Sequence, residues 1–101
     1  MMAKAQKDVA EKVRAQIKTP KRYVVYLLND DYTTMEFVVK VLMLYFGHNA
    51  RAAFDIMMKV HEEGRGVCGA YPFEIAETKI AQVHTHAKAN NFPLRAFMEE
   101  E

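Results

Sequence analysis

One stretch constrains this chain more than any other, the seven-residue run RYVVYLL at positions 22–28, which stops abruptly at three polar residues, Asn29, Asp30 and Asp31. A run so rich in aromatic, β-branched and leucine side chains reads as a mostly buried strand. Such a strand must be paired and covered, and a chain of 101 residues can build one core with which to do it.

Thr33 stands three residues before Glu36, the spacing at which a threonine hydroxyl and a glutamate carboxylate reciprocally satisfy the free amides of a helix start. A first helix follows, with Phe37, Val38, Val41, Leu42 and Tyr45 on its apolar face and Gly47 placed to end it in a left-handed conformation. Asn49 can cap a second helix, on which Phe54, Met57, Val60 and His61 share one face before Gly64 terminates it. Residues 64–71 read as a turn feeding a short strand. Pro72 suits the first turn of a third helix, whose buried stripe is Ala76, Ile80, Val83 and Ala87 and which Asn90, Asn91 and Pro93 close. Leu94, Ala96 and Met98 then alternate with Arg95, Phe97 and Glu99 as a final strand. The order β-α-α-β-α-β predicts a two-layer α+β sandwich, a three-stranded antiparallel sheet packed against three helices. Residues 22–101 form this core domain and residues 1–21 a flexible N-terminal extension.

Charge divides along the same boundary. Residues 1–22 hold seven basic and two acidic side chains, about +5, while residues 23–101 hold seven basic and eleven acidic ones, about −4. A basic arm can serve nucleic acid or an anionic membrane, but the acidic body would repel either partner, so neither is expected. Within the arm, Val9, Val13 and Ile17 recur at four-residue spacing, compatible with a short helix ended by Thr19-Pro20 or with a frayed tail. No apolar run approaches the roughly 20 residues of a membrane span, and Lys4, Lys7 and Asp8 interrupt any secretory core, so a cytoplasmic location is expected.

The same composition excludes most catalysis. Serine is absent, no glycine-rich phosphate loop appears among four glycines, and the lone Cys68 sits in a short apolar stretch, where a buried inert thiol is the ordinary case. His84 and His86, two apart on a helix, point in different directions and read as surface residues, while His48 reads as a loop residue. No catalytic residue, metal or cofactor is expected. What remains is Asn29-Asp30-Asp31 at a strand-to-helix junction, either a plain turn or the rim of a site. If the first two helices pack antiparallel, the start of the first, with Met35 and Val38, lies near the end of the second, with Met57, Val60 and His61. A small apolar pocket rimmed by Asn29, Asp30, Asp31, Thr33 and His61 results. A hydrolase using His61 with Asp30 or Asp31 is the competing class, and it lacks a supported nucleophile.

Four separated motifs, LNDDYTTMEFVV at 28–39, MMKVH at 57–61, GVCGA at 66–70 and EIAETK at 74–79, resemble the ClpS family of protease adaptors in order and spacing, and EKVR at 11–14 ahead of Pro20 looks like that family's N-terminal extension. The resemblance implies a non-enzymatic adaptor that binds proteins beginning with Leu, Phe, Tyr or Trp and hands them to a ClpA- or ClpC-type AAA+ unfoldase. It further implies that Asn29, Asp30 and His61 hold the substrate's α-amino group, with Asp31 and Thr33 completing the polar rim. Met35, Val38, Met57, Val60 and Leu94 would form the hydrophobic pocket. Glu74 and Lys79 would meet the N-terminal domain of the unfoldase, and residues 1–20 would be engaged by it during delivery. Two positions depart from the family pattern. Thr34 stands where proline is common, which is expected to loosen the first helix turn, and Pro72 replaces a small hydroxyl residue, which is expected to alter the helix start beside Glu74.

Overall fold

The computed structural model describes residues 21–101; the N-terminal arm, with Val9, Val13 and Ile17, lies outside them. The elements run β1 (Arg22–Leu28), α1 (Met35–Phe46), α2 (Ala50–Glu63), β2 (Arg65–Pro72), α3 (Phe73–Ala89) and β3 (Arg95–Glu100), the order the periodicities predict. β1 is the central strand, antiparallel to both neighbours in a sheet ordered β2-β1-β3. Val25 and Leu27 point into the helical layer and are fully buried, joined there by Cys68 of β2, Ala96 of β3 and Leu94 just ahead of β3. Against them pack Phe37, Val41 and Leu42 of α1, Ala53, Met57 and Val60 of α2, and Ala76, Val83 and Ala87 of α3.

β1 is less buried than its composition predicts. Only Val25 and Leu27 are enclosed, because the sheet has a second, open face on which Tyr26 stacks on Phe97 at 5.0 Å between centroids and lies under the Arg65 guanidinium at 4.4 Å. Aromatic rings and an arginine stem cover one another there without a second layer. Phe97 thus has a packing role on the face left to solvent by the alternation in β3. The second strand is also longer than the glycines suggest: β2 pairs with β1 along eight residues, with one bulge where Val25 faces Gly69 and Tyr26 faces Val67, leaving Cys68 as the extra residue. His48, in the α1–α2 connection, fixes that bulge by donating Nε2–H to the Cys68 carbonyl at 2.6 Å.

Helix termini correct the reading of Thr33. The N-cap of α1 is Thr34, whose hydroxyl accepts from the Phe37 amide at 3.1 Å, while the Thr33 hydroxyl donates to Asp30. A cap needs only the backbone amide three residues on, so the next threonine serves equally well once Asp30 has captured the first. Thr34 therefore gives this helix a capping bond where looseness was expected. Asn49 caps α2 through the Ala52 amide at 2.8 Å, and Gly47 and Gly64 end α1 and α2 at φ of 70° and 90°. On α2 the buried position is Ala53, and Phe54, placed on the apolar face by spacing, is half exposed at 50%. The start of α3 follows Pro72 with no side-chain cap.

His84 and His86 do diverge, but neither is a simple surface side chain. His84 Nε2 accepts from the Ala96 amide at 3.0 Å, tying α3 to β3, and His86 Nδ1 lies 2.9 Å from the Tyr45 hydroxyl, tying α3 to α1. Cys68 is 1% exposed, and burial pushes its thiol up to about 12, against a lowering backbone hydrogen bond at Leu27. That environment suits an inert packing residue. Among the described residues no helix is long and apolar enough to cross a membrane.

Candidate functional site

The junction after β1 is built by its own aspartate. Asp30 Oδ1 accepts from the Tyr32 and Thr33 amides at 2.8 and 2.6 Å, and Oδ2 accepts from the Thr33 hydroxyl at 2.7 Å. This is the local turn chemistry of aspartate, closed by one further bond from threonine. Burial alone would raise the Asp30 carboxyl, but the Thr33 hydroxyl and the two amides outweigh it and hold the group below its ordinary value of 3.8. Asp30 therefore stays a carboxylate across the physiological range and lines the cleft in that form.

A second tie sets this loop against the end of α2. The Asn29 amide donates to the Gly64 carbonyl at 2.9 Å, one residue past the helix whose last turn carries His61. Antiparallel packing of α1 and α2 does the rest, bringing Met35 and Val38 from the start of α1 beside Met57 and Val60 from the end of α2. The outcome is a cleft of about 260 Å³ lined by Asn29, Asp30, Asp31, Thr33, Met35, Val38, Met57, Val60 and His61. Val38, Met57 and Val60 are buried and make its floor, whereas Met35 is 45% exposed at the mouth. That volume lies below the roughly 300–1,000 Å³ of a site for a drug-sized ligand and suits one side chain.

Nine of the ten residues singled out in the sequence for binding meet in this one cleft. Leu94 does not line it. It is 3% exposed, belongs to the core, and its remaining edge faces a separate depression at the α3–β3 junction. Glu74 and Lys79 lie elsewhere, on α3. Glu74 is exposed in the first turn, where a carboxylate complements the helix dipole. Lys79 is not the solvated side chain its spacing suggests: its ammonium donates to the Tyr45 carbonyl at the end of α1, 2.7 Å away, and stands 5.0 Å from the centroid of Tyr71 and 5.8 Å from that of Phe46. It caps one helix from another. Phe73 and Ile75, 45% and 48% exposed on either side of Glu74, went unnoticed in the sequence. Their signal was present, since neither fits the Ala76, Ile80, Val83, Ala87 stripe that buries the helix.

The arrangement offers an apolar hole beside carboxylate and amide acceptors. Among the described residues no group of three or more His, Cys, Asp or Glu side chains gathers to hold a metal ion. Asp30 is committed to its own loop by three hydrogen bonds, which makes it an anchor for a bound cation more readily than a base that must release and regain a proton.

Comparison with known proteins gives a consistent result. Residues 18–97 match the family model described as ATP-dependent Clp protease adaptor protein ClpS. The ATP-dependent Clp protease adapter protein ClpS of Wolinella succinogenes is 56% identical over 84 residues, covering 83% of this chain and 82% of that one. Its counterpart from Burkholderia cenocepacia is 50% identical over 97 residues, 96% of this chain and 93% of the other. Among solved structures, that of Agrobacterium tumefaciens ClpS2 bound to L-phenylalaninamide superposes with a TM-score of 0.79 at 40% identity, covering 82% of this chain and all of that one. With a family model spanning four-fifths of its length and relatives about half identical along most of it, the chain belongs to the ClpS family of adaptors of the ATP-dependent Clp protease.

Proposed function

We propose that this adaptor, itself without catalytic activity, captures proteins whose first residue is Leu, Phe, Tyr or Trp and passes them to a ClpA- or ClpC-type AAA+ unfoldase in the cytoplasm. The observation that carries the reading is the pairing of a one-side-chain apolar floor with a rim of Asn29, Asp30, Asp31, Thr33 and His61. A chain's first residue alone presents both halves of the matching shape, a free ammonium with three donors and a side chain with nothing preceding it. An internal residue offers an uncharged amide with one hydrogen and continues on both sides. The L-phenylalaninamide in the Agrobacterium relative has those two features.

Asn29, Asp30 and His61 take the ammonium, Asp31 and Thr33 complete the rim, and Met35, Val38, Met57 and Val60 receive the side chain, with Leu94 supporting the floor from the core. Burying Phe or Leu contributes roughly 1.5–3 kcal/mol and each charge-assisted hydrogen bond a similar amount, from which association costs are subtracted. Affinity on the order of micromolar follows. The unfoldase contact falls on Glu74 and Lys79 of α3, a surface to which the exposed Phe73 and Ile75 add apolar area. The test is a peptide beginning with free Phe against the same peptide acetylated. Acetylation removes the charge and two hydrogens and abolishes measurable binding; equal affinities overturn the reading.

A further inference from the structure

Three further depressions on the described surface differ in charge. One, between α2 and β2, mixes Asp55 and Glu63 with Lys59 and Arg65 and so compensates itself; another, between α1 and α3, has no formally charged carboxylate or lysine. The third, at the α3–β3 junction, spans about 630 Å³ and carries His84, Lys88 and Arg95 with no acidic residue in its lining. On a body of net charge about −4, the cations Lys88 and Arg95 here have no acidic residue in the same lining to offset them. Lys88 and Arg95 are both exposed, and the ion pairs among the described residues involve Lys21, Arg22, Arg51 and Arg65 instead. The end of α3 does not consume these cations either. Its last carbonyls are taken by backbone amides, His86 and Ala87 by Asn90, Ala87 again by Phe92, and Lys88 by Asn91, which holds φ at 61°.

We propose that this depression is a docking site for an acidic segment of a partner protein, its carboxylates held by Lys88, Arg95 and His84 and an apolar side chain resting on Phe92 and the edge of Leu94. Since His84 Nε2 accepts from the Ala96 amide, the hydrogen of the neutral ring resides on Nδ1, which supplies a donor directed away from the strand. Arg95 and His84 line the same depression with Lys88, so the three side chains can address one bound segment. The occupant is a peptide because the depression is wide and shallow, with apolar floor between separated cations. A single phosphate would leave most of that surface unused, and a nucleic acid or anionic membrane would meet the repulsion of the acidic body around it. The site is separate from the cleft: the two linings share no residue.

The probe is the peptide Ac-GEEFEEG-NH2, whose acetyl group bars it from the cleft, titrated into the full-length isotopically labelled chain. Saturable amide shifts at His84, Lys88, Asn91 and Arg95 are expected, with a dissociation constant on the order of 0.1–1 mM set by a few exposed charge contacts and weakened by salt. The double variant Lys88→Gln, Arg95→Gln should weaken binding roughly fivefold or more while leaving L-phenylalaninamide affinity unchanged. The proposal is overturned if the Gln analogue Ac-GQQFQQG-NH2 gives the same shifts, if shifts are confined to the basic residues 1–22, or if inorganic phosphate binds the depression more tightly than the peptide.

Discussion

Gly66→Ala tests how the sheet sets the shape of the cleft. A Cβ at this position would stand 2.7 Å from Val60 Cγ2, 3.1 Å from the Ile56 carbonyl oxygen and 3.4 Å from Ile56 Cγ2. Carbon atoms in contact prefer about 3.5–4.0 Å, so the methyl is short of room by about 1 Å. Val60 cannot turn aside, because a β-branched side chain in a helix has essentially one χ1 rotamer, and the Ile56 carbonyl is backbone. The last turns of α2 must therefore move off β2, and they carry Met57, Val60 and His61. Overpacking of this kind costs about 1–3 kcal/mol, which at about 4–8 °C per kcal/mol for a domain of this size lowers Tm by roughly 5–20 °C. Thermal unfolding and L-phenylalaninamide titration measure the two effects, and affinity should fall about three- to tenfold, or about 0.6–1.4 kcal/mol. Gly69→Ala is the control, since its Cβ would meet the Tyr71 hydroxyl, which packs beside Phe46 at the other end of α1. It should lower Tm with little change in affinity. A Gly66→Ala protein that keeps its Tm within about 2 °C, or loses no more affinity than the Gly69→Ala protein, refutes the argument.

Met35→Ala opens the mouth of the cleft, where a half-exposed methionine would collide with the second heavy atom on the β-carbon of Ile or Val; peptides beginning with those residues should gain affinity while Leu peptides lose a little, measured by fluorescence anisotropy. His84 has its folded value lowered from 6.5, first by burial and then by Arg95, against the Ala96 amide, so as pH falls from 6.5 toward the lowered value the unfolded chain takes up its proton before the folded one and stability declines. His84→Gln should reduce the difference between urea midpoints at pH 7.5 and 5.5, and an unchanged difference would remove His84 from the account. Cys68, raised to about 12, should resist a thiol reagent at pH 8 in the native protein and react fully once denatured; rapid labelling of the folded chain would contradict its burial.

The sequence by itself determined the elements and their order, because strand alternation, helical spacing and terminators such as Asn49, Gly47 and Gly64 act within a few residues of one another. It also assembled most of the cleft, since Asn29 to Val38 are consecutive and Met57, Val60 and His61 share a helix face, leaving one packing assumption to join them. Where two local answers were equally good, tertiary contacts decided. Thr33 and Thr34 are both competent caps, and Asp30 chose between them. Ala53 and Phe54 are neighbours on α2, and packing of that helix into the core encloses the smaller one. Lys79 has no local reason to be anything but solvated, yet it closes the end of α1, because a carbonyl and two aromatic rings from distant parts of the chain converge there. The depression of His84, Lys88 and Arg95 is of the same kind, spread over a helix and a strand that the turn at Asn91 and the Ala96–His84 hydrogen bond bring together. Local spacing governs what a side chain can do, and packing between segments governs which of those possibilities is realised.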